Sequence, residues 1–208
     1  MNTLIVVDVQ NDFLPGGALA VPRGDEVIPV INALMPRFKL VVATQDWHPP
    51  DHGSFASQHP GRCVGDVVDL SGLPQTLWPD HCVQNTPGAA LAPSLDAARI
   101  ARVFHKGTNR EIDSYSGFFD NGQRRSTGLG EYLRERGVTS VCLAGLATDY
   151  CVKFTALDAR RLGFHTRVVL EGVRGVELHP GDCERALEEM RTAGVQVVSL
   201  DGLKPALR

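Results

Sequence analysis

The sequence of 208 residues predicts a three-layer α/β fold, with a six-stranded parallel sheet carrying helices on both faces. Two observations predict it. Six short β-branched runs, at 4–7, 40–43, 100–104, 138–143, 166–170 and 195–200, are apolar on successive residues. Strands covered on both faces have that pattern, whereas half-exposed strands alternate. Between several of these runs lie stretches of helical pattern with recognisable stops.

Taken in order, the run Leu4-Ile5-Val6-Val7 ends at Asp8, and 26–38 follows as a helix whose Pro29 and Pro36 must sit near its ends. The run 40–43 leads to Asp46. The stretch 45–95, about fifty residues rich in Pro, Gly, His and Trp, then interrupts the alternation. A connection that long is functional or carries small elements of its own. The run 100–104 leads to Lys106, and an irregular stretch, 107–126, follows it. Helices are expected at 128–136, 148–162 and 182–193, stopped by Gly137, Gly163 and Gly194. The strand-like runs 138–143, 166–170 and 195–200 alternate with them. Right-handed crossovers make this a doubly wound, Rossmann-like arrangement. No repeat or linker divides the chain, so 1–208 reads as a single domain with 45–95 as an insertion.

Composition narrows the function. Hydrophobic residues at 43% and charged residues at 22% describe an ordinary globular chain and argue against disorder. The formal net charge of -3, with no block of like charge, gives no surface for nucleic acid or anionic membrane. Apolar runs of a few residues are too short to cross a bilayer. The N-terminus enters its first run without a basic region or cleavage site, which reads as a strand and not a signal peptide. Cysteines 63, 82, 142, 151 and 183 form no CxxC pair. An odd, scattered set points to a reducing, cytoplasmic setting.

Open α/β sheets bind ligands beyond the C-terminal ends of their strands. Asp8, Asp46, Lys106 and Cys151 all fall there. Lys106 is one of only four lysines against seventeen arginines, so its type is not a compositional default. Cys151 lies in Gly145-Leu146-Ala147-Thr148-Asp149-Tyr150-Cys151, where Thr148 or Asp149 is a candidate N-cap. A thiol in the first helical turn is shifted toward thiolate by the helix dipole, and the free N–H groups there can hold an oxyanion. Cys142 lies within a strand and reads as core.

A second cluster is histidine. Four of the seven histidines, 48, 52, 59 and 81, fall in the insertion. Asp46 and His48 share one side of an extended segment, and His81 returns from the turn at Trp78. One carboxylate and two imidazoles leave positions open for water or substrate, suiting zinc, iron or manganese, although a set of hydrogen-bonded loop histidines fits the same residues. His52 is either a ligand or a partner of one. Phe13, Trp78 and Tyr115 can flank a flat substrate, and Asp12 can brace the first turn. No GxGxxG is present, so the topology does not imply a dinucleotide.

Five segments together carry a resemblance. Val7-Asp8-Val9-Gln10-Asn11-Asp12-Phe13, Gln45-Asp46-Trp47-His48, Trp78-Pro79-Asp80-His81-Cys82-Val83-Gln84, Lys106-Gly107 and the Gly145 to Val152 segment resemble the cysteine hydrolases of the isochorismatase-like superfamily, in its nicotinamidase branch. The resemblance implies a sheet of order 3-2-1-4-5-6 and hydrolysis of nicotinamide to nicotinate and ammonia, often with activity on pyrazinamide, within NAD salvage. It implies a triad of Asp8, Lys106 and Cys151, and an oxyanion hole from the Ala147 and Cys151 N–H groups behind a cis Leu146–Ala147 peptide. It implies a substrate pocket of Phe13, Trp78, Tyr115 and Leu146. It further implies one divalent metal, zinc foremost, on Asp46, His48 and His81. His52 follows His48 after three intervening residues, which resembles the branch where that histidine is not a principal ligand. Relatives acting on ureido or carbamoyl substrates generally lack the metal, and isochorismatase needs no cysteine nucleophile. The expected partner is the small-molecule substrate, with a homo-oligomer left open.

Overall fold

In the computed structural model, which describes residues 2–203, the six runs pair into one sheet. Met1 and residues 204–208 of the expected 1–208 domain lie outside the described residues. Strands β1 (Asn2–Val7), β2 (Leu40–Asp46), β5 (Arg102–Lys106), β6 (Ser140–Leu146), β7 (His165–Arg174) and β8 (Gln196–Val198) form it in the order β5-β2-β1-β6-β7-β8. Every pairing is parallel. Counted along the sheet strands alone, this is 3-2-1-4-5-6. The labels β3 (Val67–Leu70) and β4 (Leu73–Thr76) belong to a separate antiparallel hairpin within the insertion.

Side chains on a strand alternate between faces. Leu4 and Val6 pack with Val27, Ile28, Ile31 and Leu34 of helix α1 (Val27–Leu34). Ile5 and Val7 pack on the other face with helices α2 (Leu129–Glu135) and α3 (Lys153–Arg161), through Leu133 and Ala156 among others. Met190 of α4 (Asp182–Thr192) joins that second core. All four residues of the first run are fully buried. At about 1.5–3 kcal/mol per buried aliphatic side chain, this matches or exceeds the roughly 1–2 kcal/mol per residue of lost backbone freedom. The strand therefore forms where its sequence is apolar on both sides.

Several boundaries moved. The structure begins β5 at Arg102, not 100, and carries it through Lys106. It extends β7 to Arg174 and shortens β8 to three residues. The expected helix 26–38 divides into α1 and a 3-10 turn, Met35–Arg37, because Pro36 lacks the N–H that a continued helix needs. The expected helix 148–162 begins as a π-helical turn, Thr148–Val152, before α3. Gly163 and Gly194 end their helices at φ 89° and 83°, a conformation that favours glycine.

The insertion folds back onto the sheet. Its hairpin turns at Ser71 and Gly72, both at positive φ (54° and 82°), as a tight two-residue hairpin turn of the I′ type requires. Bridges His48 to Val83 and Phe55 to Trp78 bring its two halves together beside the ends of β2 and β5. Among the described residues, no helix is long and apolar enough to cross a membrane.

Candidate active site

Register places the reactive residues. Asp46 and Lys106 are paired partners at the ends of β2 and β5. Asp8 follows β1 in the left-handed region at φ 49°, a costly conformation for a non-glycine residue. Its amide is bonded to the Thr44 carbonyl at 3.3 Å, and its Oδ1 accepts from Thr44 Oγ1 at 2.6 Å. Cys151 arrives from the π-helical turn, where the Val152 N–H reaches the Ala147 carbonyl at 3.0 Å. Such turns occur often at functional sites.

The Lys106 ammonium is the meeting point. Nζ lies 2.6 Å from Asp46 Oδ1, 2.8 Å from the Ser114 carbonyl, 3.0 Å from Asp8 Oδ2 and 3.3 Å from Cys151 Sγ. It is 1% exposed. Burial disfavours the ammonium, but the Asp46 and Asp8 carboxylates outweigh that and hold its pKa well above the lysine value. Lys106 therefore stays charged.

Asp8 and Cys151 respond to the same burial. It pushes the Asp8 carboxyl up, with Lys106 and Thr44 opposing and Asp46 adding to the rise. It pushes the Cys151 thiol well above its ordinary value, with Lys106 opposing. This corrects the expectation of a thiolate stabilised by its helix terminus. Neither Thr148 nor Asp149 caps the turn with its side chain, and desolvation outweighs the available positive charge. Acceptor atoms of Asp8 and Cys151 lie within 4.8 Å of each other, so a base of raised affinity sits beside a protonated sulfur.

The metal-type residues converge as well. The carbonyls of Gly107 and Pro79 can only accept, so they fix the proton on Nδ1 of His48 (2.9 Å) and His81 (2.7 Å). Each Nε2 is then left as the free lone pair, at 3.7 Å (His48) and 3.9 Å (His81) from the Asp46 carboxylate. Carbonyl partners of this kind orient metal-binding imidazoles. A Cβ at Gly107 would overlap the His48 ring, so only glycine admits this approach. Burial holds the His81 pKa down to about 4, while the Asp46 carboxylate outweighs burial at His48 and raises it. One carboxylate oxygen and two imidazole nitrogens, all within 4.8 Å of one another, are a donor set suited to a divalent metal. His52 stands apart from this group. Its ring is 4.3 Å from that of His48, and its Nδ1 accepts from the Ser54 N–H at 3.2 Å. Its donor atom groups with those of His48 and Asp113 instead.

Between the Asp8, Lys106 and Cys151 side chains and the donor set opens a small cavity of about 30 Å³. Phe13, Trp78, Tyr115, Ala147 and Cys151 line it, as do Asp46 and His81. Leu146 does not. Its fully buried side chain packs in the α1-side core, near Gly24. The Leu146–Ala147 peptide is cis.

Other lining residues went unread in the sequence: Leu19, Asp113, Tyr150 and Val176. Adjacency to Tyr115 and Cys151 was the available signal for Asp113 and Tyr150. Nothing local marked Val176. Gln10 was also missed. Its side chain bonds both the N–H and the carbonyl of Asp46, at 2.7 and 2.8 Å, and so fixes that donor's backbone. Asp12 does brace the first turn, and its Oδ2 also accepts the Cys82 N–H at 2.7 Å, next to His81.

A buried lysine, cysteine and aspartate at the C-terminal edge of a parallel 3-2-1-4-5-6 sheet define a hydrolase-type site. The family model of the isochorismatase domain matches residues 2–202, and the chain belongs to that family. It is 53% identical to the nicotinamidase of Escherichia coli over 201 residues, covering 95% of this chain and 94% of that protein. A solved Acinetobacter baumannii nicotinamidase/pyrazinamidase superposes with a TM-score of 0.94 at 44% identity, covering 98% of each chain. A Pyrococcus horikoshii pyrazinamidase solved in complex with zinc superposes at 0.79 with 42% identity, covering 95% of this chain and 98% of that one.

Proposed function

We propose that this chain is a metal-dependent cysteine amidohydrolase, built as one hydrolase domain, that converts nicotinamide to nicotinate and ammonia and also deamidates pyrazinamide, in NAD salvage. The observation that carries the reading is the position of Lys106 Nζ, in contact with Asp8, Asp46 and Cys151 at once. The names of the relatives support the substrate, and the zinc complex of the Pyrococcus relative supports zinc as the metal.

In this mechanism Asp8 Oδ2 takes the thiol proton as Cys151 Sγ bonds to the carboxamide carbon. Lys106 offsets the charge that develops on the sulfur. The Ala147 and Cys151 N–H groups hold the oxyanion, a donor of this kind being worth about 3 kcal/mol. Asp8 then returns the proton to the amide nitrogen as the C–N bond breaks, so ammonia leaves and a thioester remains. Asp8 next removes a proton from water, whose oxygen attacks the thioester, and nicotinate leaves as the thiol is restored. The flat ring lies among Phe13, Trp78 and Tyr115. Asp46, His48 and His81 would hold the metal, which when bound supplies an open coordination position for the heteroaromatic nitrogen and so orients the ring.

The deciding experiment is ammonia release from nicotinamide by the purified protein. Turnover supports the reading, and its absence in metal-replete protein refutes it.

A further inference from the structure

Asp149 stands two residues before the nucleophile, is 5% exposed, and does not cap its own helix. Its carboxylate reaches instead to the loop after β7. Oδ1 accepts the Val176 N–H at 3.0 Å and Oδ2 accepts the Glu177 N–H at 2.7 Å. Both oxygens are therefore engaged by consecutive backbone donors, and hydrogen bonds to a carboxylate are stronger than those between neutral groups. Glu177 sits at φ 56°, so the loop kinks at the point of attachment.

The loop is drawn in closely. A Cβ at Gly175 would overlap the Cys183 sulfur and lie 3.0 Å from Asp149 Oδ1. A further bond, from the Gly181 N–H to Glu177 Oε1 at 2.8 Å, stays within the loop itself. Val176 lines the cavity together with Tyr150 and Cys151, and Tyr150 is the residue between Asp149 and the nucleophile. One carboxylate thus ties together two walls of the substrate cavity that lie more than twenty residues apart.

We propose that Asp149 is a positioning residue that sets ring-size selectivity, by holding Val176 against the cavity so that it admits an unsubstituted heteroaromatic amide and excludes ring-alkylated ones. The inference rests on the amidase reading above. A single methyl group in an apolar pocket discriminates by about 10–200-fold, which is the scale a fixed wall can supply.

The test compares wild type, Asp149→Asn, Asp149→Ala and Val176→Ala on nicotinamide and on its 5-methyl and 6-methyl derivatives, all metal-replete. Asn keeps one acceptor and Ala keeps none, so a graded series is expected. The ratio of kcat/KM for the better methyl derivative to that for nicotinamide should rise about fivefold in Asp149→Asn and about tenfold or more in Asp149→Ala and Val176→Ala. KM for nicotinamide should rise about tenfold in the Asp149 variants with kcat within about threefold. A general loss of fold stability would not move the ratio. Folded Asp149→Asn and Val176→Ala proteins with an unchanged ratio would overturn the proposal, as would a fall in kcat alone. Should Asp149→Ala fail to fold, the other two variants decide. Wild-type protein that releases no ammonia would instead overturn the amidase reading, which separates the two failures.

Discussion

Lys106 Nζ lies 2.6 Å from Asp46 Oδ1, so the ammonium that faces the Cys151 sulfur is bonded directly to a donor of the metal-type cluster. The two residues are paired partners on adjacent strands, which makes this link a property of the sheet register. Asp8, Lys106, Cys151 and the donor set are consequently one electrostatic unit.

Removing that ammonium strands buried anions. Lys106→Met should lower the stability of the chelated protein by about 3–5 kcal/mol at neutral pH, the usual cost of leaving buried charge unpaired. Urea unfolding followed by circular dichroism measures it. An unchanged midpoint would show that Asp8 and Asp46 do not depend on Lys106.

Cys151→Ala should abolish ammonia release while leaving the circular dichroism spectrum and the bound metal unchanged. In the wild type, hydroxylamine should intercept the thioester and yield the hydroxamate of the substrate acid. Retained turnover in the variant would exclude a covalent route through this sulfur.

The activity should carry an acidic limb set by Asp8, which must be ionised to take the thiol proton. Burial lifts its pKa above the ordinary aspartate value, and a raised pKa means the carboxylate is lost earlier as pH falls. The limb in kcat/KM should therefore lie above the ordinary aspartate range. Thr44→Val removes a hydrogen bond that favours the carboxylate, so it should move the limb further upward. Profiles recorded at saturating metal test this. A downward shift in the variant would exclude Asp8 as the titrating base.

Chelation should remove the metal and the activity together, and zinc, manganese or iron should restore both to different extents. His48→Ala and His81→Ala should lower metal content measured by mass spectrometry. His52→Ala should lower it far less, because His52 lies outside the Asp46 group. Equal losses in all three variants would make His52 a ligand.

Most of the site was legible because its residue types are unusual for their places. Asp8, Asp46, Lys106 and Cys151 interrupt or follow apolar runs at strand ends, and the topology of a parallel sheet carries such ends to one edge. Leu146 was misplaced because being next to Ala147 in sequence does not show that its side chain is spent on the α1-side core. Asp149 read as a helix cap, since its attachment to Val176 and Glu177 lies 27 and 28 residues away and leaves no local mark.

By itself, the order of residues determined the α/β class, the sites of the helix stops and the set of side chains available for chemistry. These follow from periodicity and backbone preference, which act over a few neighbouring positions. Tertiary structure decided the protonation of Cys151, the bond between Lys106 and Asp46, and the residues that close the cavity. Desolvation and Coulomb energy depend on distances between groups remote in the chain, and only packing sets those distances.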